Sequence, residues 1–258
     1  MSGLRETKAV LFDLDGVFYE GATLIAGGAR VLNQLAEKGV PHCFITNTTT
    51  RSRRELAKKL LALGLPANES QIITAPVATA SYLRSQGYRR CRLVVNESVR
   101  EDFTGIPLSS TEPDCLVIGD IGPVWDYALL NDLFQQVMGG ADIVAMHKNR
   151  FWKTEAGLQL DIGGFVTALE YVTGVAATVV GKPSTAFFEL ALQLLGQAKE
   201  GAVVVGDDIE NDIGAAQQAG IAGVLVKTGK YRSDIAARSA VKPAAVIDSV
   251  AGLPALFW

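Results

Sequence analysis

The sequence predicts an α/β protein in which a parallel-sheet core domain carries a second α/β domain inserted within it. Three observations lead there. Short β-branched runs alternate with amphipathic stretches along the chain, the pattern of strands joined by helical crossovers. Several of those runs end abruptly in acids or other polar groups. The acid-tipped runs and the single Gly-Lys-Pro lie toward the two ends of the chain, with a further strand–helix series between them.

The first run, Ala9 to Phe12, stops at Asp13 and Asp15, and Gly16 follows. A core strand gains nothing from two carboxylates at its tip. Burying each costs roughly several kcal/mol unless a cation or hydrogen-bond donors meet it. Next, "ARVLNQLAEKG" spaces Ala29, Leu32, Leu35 and Ala36 on one helical face stopped by Gly39, and "VPHCFI" reads as a strand ending at Thr46-Asn47. "SRRELAKKLLALG" opens with a capping box, Ser52 to Glu55, and closes at Gly64. The middle series places strands at Leu93–Val95, Leu116–Ile118 and Ile143–Ala145. Then "ATVV" leads into Gly181-Lys182-Pro183-Ser184, and "FFELALQLLG" is helical. "GAVVVGDD" is a strand tipped by acids, "NDIGAAQQAG" a helix and "AGVLV" a further strand. The expected division is a core of residues 1–75 and 179–258 around an inserted domain of residues 76–178.

Composition narrows the class. The 258 residues are 48% hydrophobic and 20% charged, which is globular rather than disordered. A net charge of −3 carries no electrostatic footprint for nucleic acid or an anionic membrane, and Arg51, Arg53, Arg54, Lys58 and Lys59 read as a solvated helix face. Cys43, Cys91 and Cys115 sit in or beside apolar runs, as reduced core thiols of a cytoplasmic protein do. No apolar run approaches membrane-spanning length, and the first residues lack a signal-peptide core. With only His42 and His147 and no GxSxG, a Ser–His hydrolase is not expected.

Four runs of the outer domain end in Asp13/Asp15, Thr46/Asn47, Lys182 and Asp207/Asp208. In an open parallel sheet, ligands bind beyond the carboxyl ends of the strands. If those strands are neighbours, their tips gather carboxylates, an ammonium and a hydroxyl in one crevice. That set suits a divalent cation with a phosphoryl group: carboxylates hold Mg²⁺, while Lys182 and Thr46 neutralise phosphoryl oxygens. A carboxylate there can attack phosphorus, and the second acid can protonate the leaving oxygen. Gly16 lets the backbone turn so that both acids address one point.

In order, "DLDGV", "TNTTTRS", "GKPS" and "GDDIEND" resemble the four motifs of the haloacid dehalogenase superfamily of phosphohydrolases. An insertion between the second and third motifs resembles its subgroup with a large α/β cap. "HKNRFWKTEAGLQLDIGGFVTALEYVTG" and "VLVKTGKYR" are similar to the branch containing phospholysine phosphohistidine inorganic pyrophosphate phosphatase. The resemblance spans nearly the whole chain. It implies a Rossmann-like core with an inserted cap, and Mg²⁺-dependent hydrolysis of a small phosphate ester, phosphoramidate or pyrophosphate through an aspartyl-phosphate. On it, Asp13 is nucleophile and metal ligand, and Asp15 is the acid/base whose backbone carbonyl meets the metal. Thr46 and Asn47 hold the phosphoryl group, Lys182 stabilises it, Asp207 binds Mg²⁺ and Asp212 supports the metal shell. The acid at Asp15 argues against a dehalogenase or phosphonatase. A homodimer through the cap is the family-level expectation.

Other readings remain beside this one. A phospho-accepting signalling module uses Asp, Thr and Lys at sheet tips, and Asp15 and the large insertion argue against it; a non-catalytic ligand-binding protein on the same fold is opposed by the intact acid set. "VIGD" at Val117 to Asp120 copies "VVGD" at Val204 to Asp207 but has no paired acid, so Asp120 is structural or substrate-facing. His147 is not expected to ligate a metal, and Phe151 and Trp152 shape a pocket or fill core. The inserted domain is expected to exclude water and contact the rest of the substrate. "LQLDIGGF" is its candidate contact, with Gly163 and Gly164 leaving amides free for a ligand or merely beginning a helix.

Overall fold

The computed structural model describes residues 2–154 and 157–258; Met1, and Glu155 and Ala156 of the "FWKTEAGLQL" stretch, lie outside the described residues. Contacts divide the chain into two compact units. One comprises Met1–Thr46, Arg54–Ile73 and Lys182–Trp258; the other comprises Asn47–Arg53 and Thr74–Gly181. Thr46 and Asn47, neighbours in sequence, thus fall in different units.

The strands in chain order are β1 (Ala9–Asp13), the hairpin β2 (Tyr19–Glu20) and β3 (Thr23–Leu24), β4 (His42–Thr46) and β5 (Ile72–Thr74). The series continues with β6 (Cys91–Val94), β7 (Cys115–Ile118), β8 (Asp142–Ala145), the ribbon β9 (Phe151–Thr154) and β10 (Gly157–Leu160), and β11 (Thr178–Val179). It ends with β12 (Ala202–Gly206), β13 (Ala222–Val226) and β14 (Ala245–Ile247).

The core sheet has the order β14-β13-β12-β1-β4-β5. From β1 the chain moves outward through β4 and β5, then returns on the other side as β12, β13 and β14. The strand order therefore reverses between β1 and β12, which pair in parallel, as β1 does with β4. Both faces of β1 are covered, so Ala9 to Phe12 are fully buried and form an unbroken apolar run in the sequence. The helix Gly28–Glu37 buries Val31, Leu32 and Leu35. The buried face includes Val31 where the spacing suggested Ala36, which is exposed; covering valine removes more apolar area from water. Phe12, Phe18 and Phe44 meet edge-on or tilted at the centre, with Phe18 and Phe44 ring centroids 5.5 Å apart. The stretch expected as one helix after β12 begins as a π-type turn, Ile209–Gly214, before a short α-helix, Ala215–Gln218.

The second unit holds a four-stranded parallel sheet, β11-β8-β7-β6, and the antiparallel ribbon β9–β10. "ATVV" therefore does not end in the core sheet as expected: β11 pairs with β8, and Val180 N and Gly181 N continue that pairing to Ala145 O and Met146 O. Trp125 stacks on Phe165 at 4.2 Å. Phe151 and Trp152 are exposed rather than core. All three cysteines are buried free thiols. Among the described residues no helix is long and apolar enough to cross a membrane.

Phe44→Ala should lower the stability of the core unit by about 3–5 kcal/mol, because the cavity lies amid fully buried aromatic rings. Leu61→Ala, at an exposed position, should change it by less than about 0.5 kcal/mol. Urea unfolding followed by circular dichroism measures both; equal effects would show that the aromatic cluster is not the packing centre.

Candidate active site

Three neighbouring core strands deliver polar groups at their carboxyl ends. Asp13 closes β1, opposite Ile45 of β4, so Thr46 stands one residue beyond it. Phe12 is level with Val205 of β12, and Asp207 follows that strand directly. Asp13, Thr46 and Asp207 are all buried. Lys182 arrives by a different route from the one its sequence suggested. It follows the second unit's sheet and leads into the helix Thr185–Leu195, so it does not tip a core strand.

Asp212 comes from the π-type turn, whose geometry is fixed by its neighbour. The Asp208 carboxylate accepts from Glu210 N, Asn211 N and Asn211 Nδ2, and Asp208 N donates to Asp212 Oδ2 at 3.1 Å. The two adjacent acids are thereby separated. Asp207 faces the cluster, whereas Asp208 caps a turn.

Lys182 Nζ donates to Asp13 Oδ1 at 2.8 Å and to Asp212 Oδ1 at 2.6 Å. Burial alone would pull the lysine down, but the two carboxylates outweigh it and hold the ammonium charged. Asp13, Asp207 and Asp212 offer oxygens that all lie within 4.8 Å of one another. Asp207 Oδ2 accepts from Lys230 N at 2.6 Å, while its buried Oδ1 has no hydrogen-bond partner among the described residues. Burial, followed by Asp13 and then Asp212, pushes the Asp207 carboxyl up to about 8. Burial also raises Asp212, against the pull of Lys182. An orphaned carboxylate oxygen facing two further acids is what an oxygen-binding dication would satisfy, so the donor set fits Mg²⁺.

Asp15 lies two residues past Asp13 and keeps an exposed surface. Its carboxyl is nevertheless raised, chiefly by partial burial and against the opposing pull of Lys230 and Lys59. That favours the protonated form more than in a free carboxylate.

Sequence reading quoted the loop after β13 within "VLVKTGKYR" but gave it no part in the site. Thr228 Oγ1 donates to Gly16 O, Gly229 N to Glu20 Oε1 at 2.7 Å, and Lys230 N to Asp207. Gly16 and Gly229 both have positive φ, and a Cβ on either would stand about 2 Å from Asp207 Oδ2 (1.9 and 2.0 Å). The signal was a threonine–glycine pair just after an apolar strand. It carries no acid to mark it.

The remaining candidates fall elsewhere. Asn47 is half-buried in the second unit, where its Oδ1 lies 2.6 Å from the position of a Cβ on Gly181. Asp120 Oδ1 accepts from Gly122 N at 2.7 Å, a turn contact. The "DIGG" amides are not free for a ligand. Ile162 N donates to Asp161 Oδ1, Gly163 N to Asn149 O and Gly164 N to Asp161 O. Gly163 is needed because a Cβ would sit 2.3 Å from Asn149 O. These glycines begin the helix Ile162–Thr173.

The comparisons with known proteins agree with a hydrolase of one particular superfamily. Residues 10–108 match the haloacid dehalogenase-like hydrolase family, and residues 179–253 match a HAD-hydrolase-like family. Human haloacid dehalogenase-like hydrolase domain-containing protein 2 is 40% identical over 233 residues, covering 90% of this chain and 89% of that protein. Rat phospholysine phosphohistidine inorganic pyrophosphate phosphatase is 37% identical over 257 residues, covering 97% and 93%. The 4-nitrophenylphosphatase of Thermotoga maritima superposes with a TM-score of 0.92 at 25% identity over 99% of both chains. The p-nitrophenyl phosphatase of Archaeoglobus fulgidus does so at 0.90 and 29%, covering 96% and 99%. The chain belongs to the haloacid dehalogenase-like hydrolases, as an enzyme of their phosphohydrolase kind.

The raised Asp207 carboxyl has a consequence for stability. An acid that holds its proton more tightly folded than unfolded makes stability fall as pH rises between its two pKa values, here from about 4 to about 8. The melting temperature of the metal-stripped protein should therefore decline from pH 5 to pH 8. Asp207→Asn should flatten that slope, and Mg²⁺ should stabilise more at pH 8 than at pH 5, where a proton holds the Asp207 carboxyl more fully. Scanning calorimetry in chelator across this range is the check; a slope unchanged in Asp207→Asn would assign it to other groups.

Proposed function

We propose that this protein is a Mg²⁺-dependent phosphatase that hydrolyses a small phosphorylated compound through an aspartyl-phosphate on Asp13. The observation that carries the reading is the buried cluster of Asp13, Asp207 and Asp212 with Lys182 bonded between two of them. A purely structural ion pair needs no third acid with an orphaned oxygen.

In this mechanism an oxygen of Asp13 attacks phosphorus, forming the Asp13–phosphorus bond as the bond to the leaving oxygen breaks. Asp15, raised by burial, gives its proton to that leaving oxygen. A water then attacks phosphorus, Asp15 takes the water's proton, and the Asp13–phosphorus bond breaks to release phosphate. Thr46 and Lys182 bind the phosphoryl oxygens. Asp13, Asp207 and the Asp15 backbone carbonyl would hold Mg²⁺, and Asp212 supports that arrangement through Lys182 and Asp208. When bound, the dication supplies charge neutralisation for the phosphoryl group and the acids around it.

The substrate class is a phosphate ester, phosphoramidate or pyrophosphate. Relatives named for phospholysine, phosphohistidine and inorganic pyrophosphate, and structures named for nitrophenyl phosphate, support that range.

A panel of such compounds should yield phosphate in Mg²⁺ and none in chelator. Asp13→Asn should abolish release, since an amide is neither a competent nucleophile nor an anionic ligand. Asp15→Asn should lower kcat by about 10²–10⁴-fold, least for substrates with good leaving groups. Substantial Mg²⁺-dependent turnover by Asp13→Asn would refute the mechanism.

A further inference from the structure

The proposed phosphatase chemistry needs Asp13 and Asp207 at a fixed spacing, yet no hydrogen bond joins the two side chains among those the structure gives. The loops that carry them are joined instead. After β1 the chain turns at Gly16, whose N donates to Tyr19 O at 2.7 Å, and Asp15 bridges to Tyr19. This turn projects Glu20 from β2. After β13, Thr228, Gly229 and Lys230 run alongside it. Thr228 Oγ1 donates to Gly16 O, and Gly229 N donates to Glu20 Oε1 at 2.7 Å. The next amide, Lys230 N, donates to Asp207 Oδ2 at 2.6 Å.

The two loops touch backbone to backbone. A Cβ on Gly229 would lie 2.5 Å from Gly16 Cα, so neither loop can carry a side chain at the crossing. Side-chain bonds at either end of the crossing must then fix the register: Thr228 on one flank and Glu20 on the other. The amide that orients Asp207 lies between these anchors and the acid it serves. Losing either anchor frees the loop to shift, and Asp207 would shift with it.

We infer that Glu20 and Thr228 are positioning residues that set the spacing of Asp13 and Asp207 by clasping the β1–β2 turn to the loop after β13, and thereby set the affinity for Mg²⁺. The inference rests on the proposed Mg²⁺ site. Groups that orient ligands without touching the metal commonly change metal affinity by about 10–100-fold.

Calorimetric titration of Mg²⁺ into the metal-stripped full chain tests this, with thermal unfolding of each variant alongside. The parent should bind Mg²⁺, and Asp207→Asn should not. Glu20→Ala and Thr228→Val should raise Kd by about 10–100-fold. Glu20→Gln and Thr228→Ser, which keep an acceptor and a hydroxyl respectively, should recover most of that loss. The Mg²⁺ concentration for half-maximal phosphate release should rise in parallel, while kcat at saturating Mg²⁺ stays near the parent value. If Glu20→Ala and Thr228→Val bind Mg²⁺ like the parent and only melt earlier, the clasp is structural and the inference fails with the metal site intact. Variants whose kcat falls at saturating Mg²⁺ with Kd unchanged would overturn it as well. A parent that binds no Mg²⁺ would overturn the metal reading itself.

Discussion

Asp13, Asp207 and Asp212 are held together away from water with one ammonium shared between two of them, and the core unit is arranged around that constraint. Like charges so close repel strongly wherever water cannot screen them. Lys182 offsets the repulsion at Asp13 and Asp212, while Asp207 accepts from the Lys230 backbone amide and is eased only in part by the Lys230 charge. Burial, then Asp13 and Asp212, push that carboxyl up to about 8. Folding keeps this tension because the sheet leaves no alternative. β1 and β12 are neighbours at the point where strand order reverses, so the residues beyond their ends must converge.

Close approach of backbone carries the rest. Gly206 clears space for Asp212, whose Cβ would lie 2.4 Å from a side chain there. Gly16 and Gly229 do the same around Asp207. Such crowding makes the acids' positions depend on backbone paths rather than on rotamers, which suits chemistry that needs fixed charges. The aromatic cluster of Phe12, Phe18 and Phe44 anchors β1, the turn after it and β4, so the site rests on fully buried rings.

Much of this was legible in the sequence, for identifiable reasons. Strands buried on both faces are unbroken apolar runs, so Ala9–Asp13 and Ala202–Gly206 announced themselves, and acids at their ends had no packing purpose. What failed was assignment that depends on partners. "ATVV" has the composition of a core strand, but composition does not say which sheet a strand joins, and β11 pairs with β8. "DIGG" showed glycines beside a helix start without showing that Asn149 O presses on Gly163. The Thr228–Lys230 loop acts through two backbone amides and one hydroxyl. Backbone amides are the same in every non-proline residue, so no side-chain pattern could reveal them. Asp207 and Asp208 are alike in sequence and differ only because one of them caps the π-type turn.

The account stands or falls on whether Asp13 becomes covalently phosphorylated during turnover. The direct measurement is to quench the enzyme during steady-state hydrolysis, reduce it with tritiated borohydride, which converts an acyl phosphate to an alcohol, and map the label by peptide mass spectrometry. The account predicts label at Asp13 in the parent protein, dependent on substrate and Mg²⁺. Sustained turnover with no label at Asp13, or with label on another acid, would contradict it.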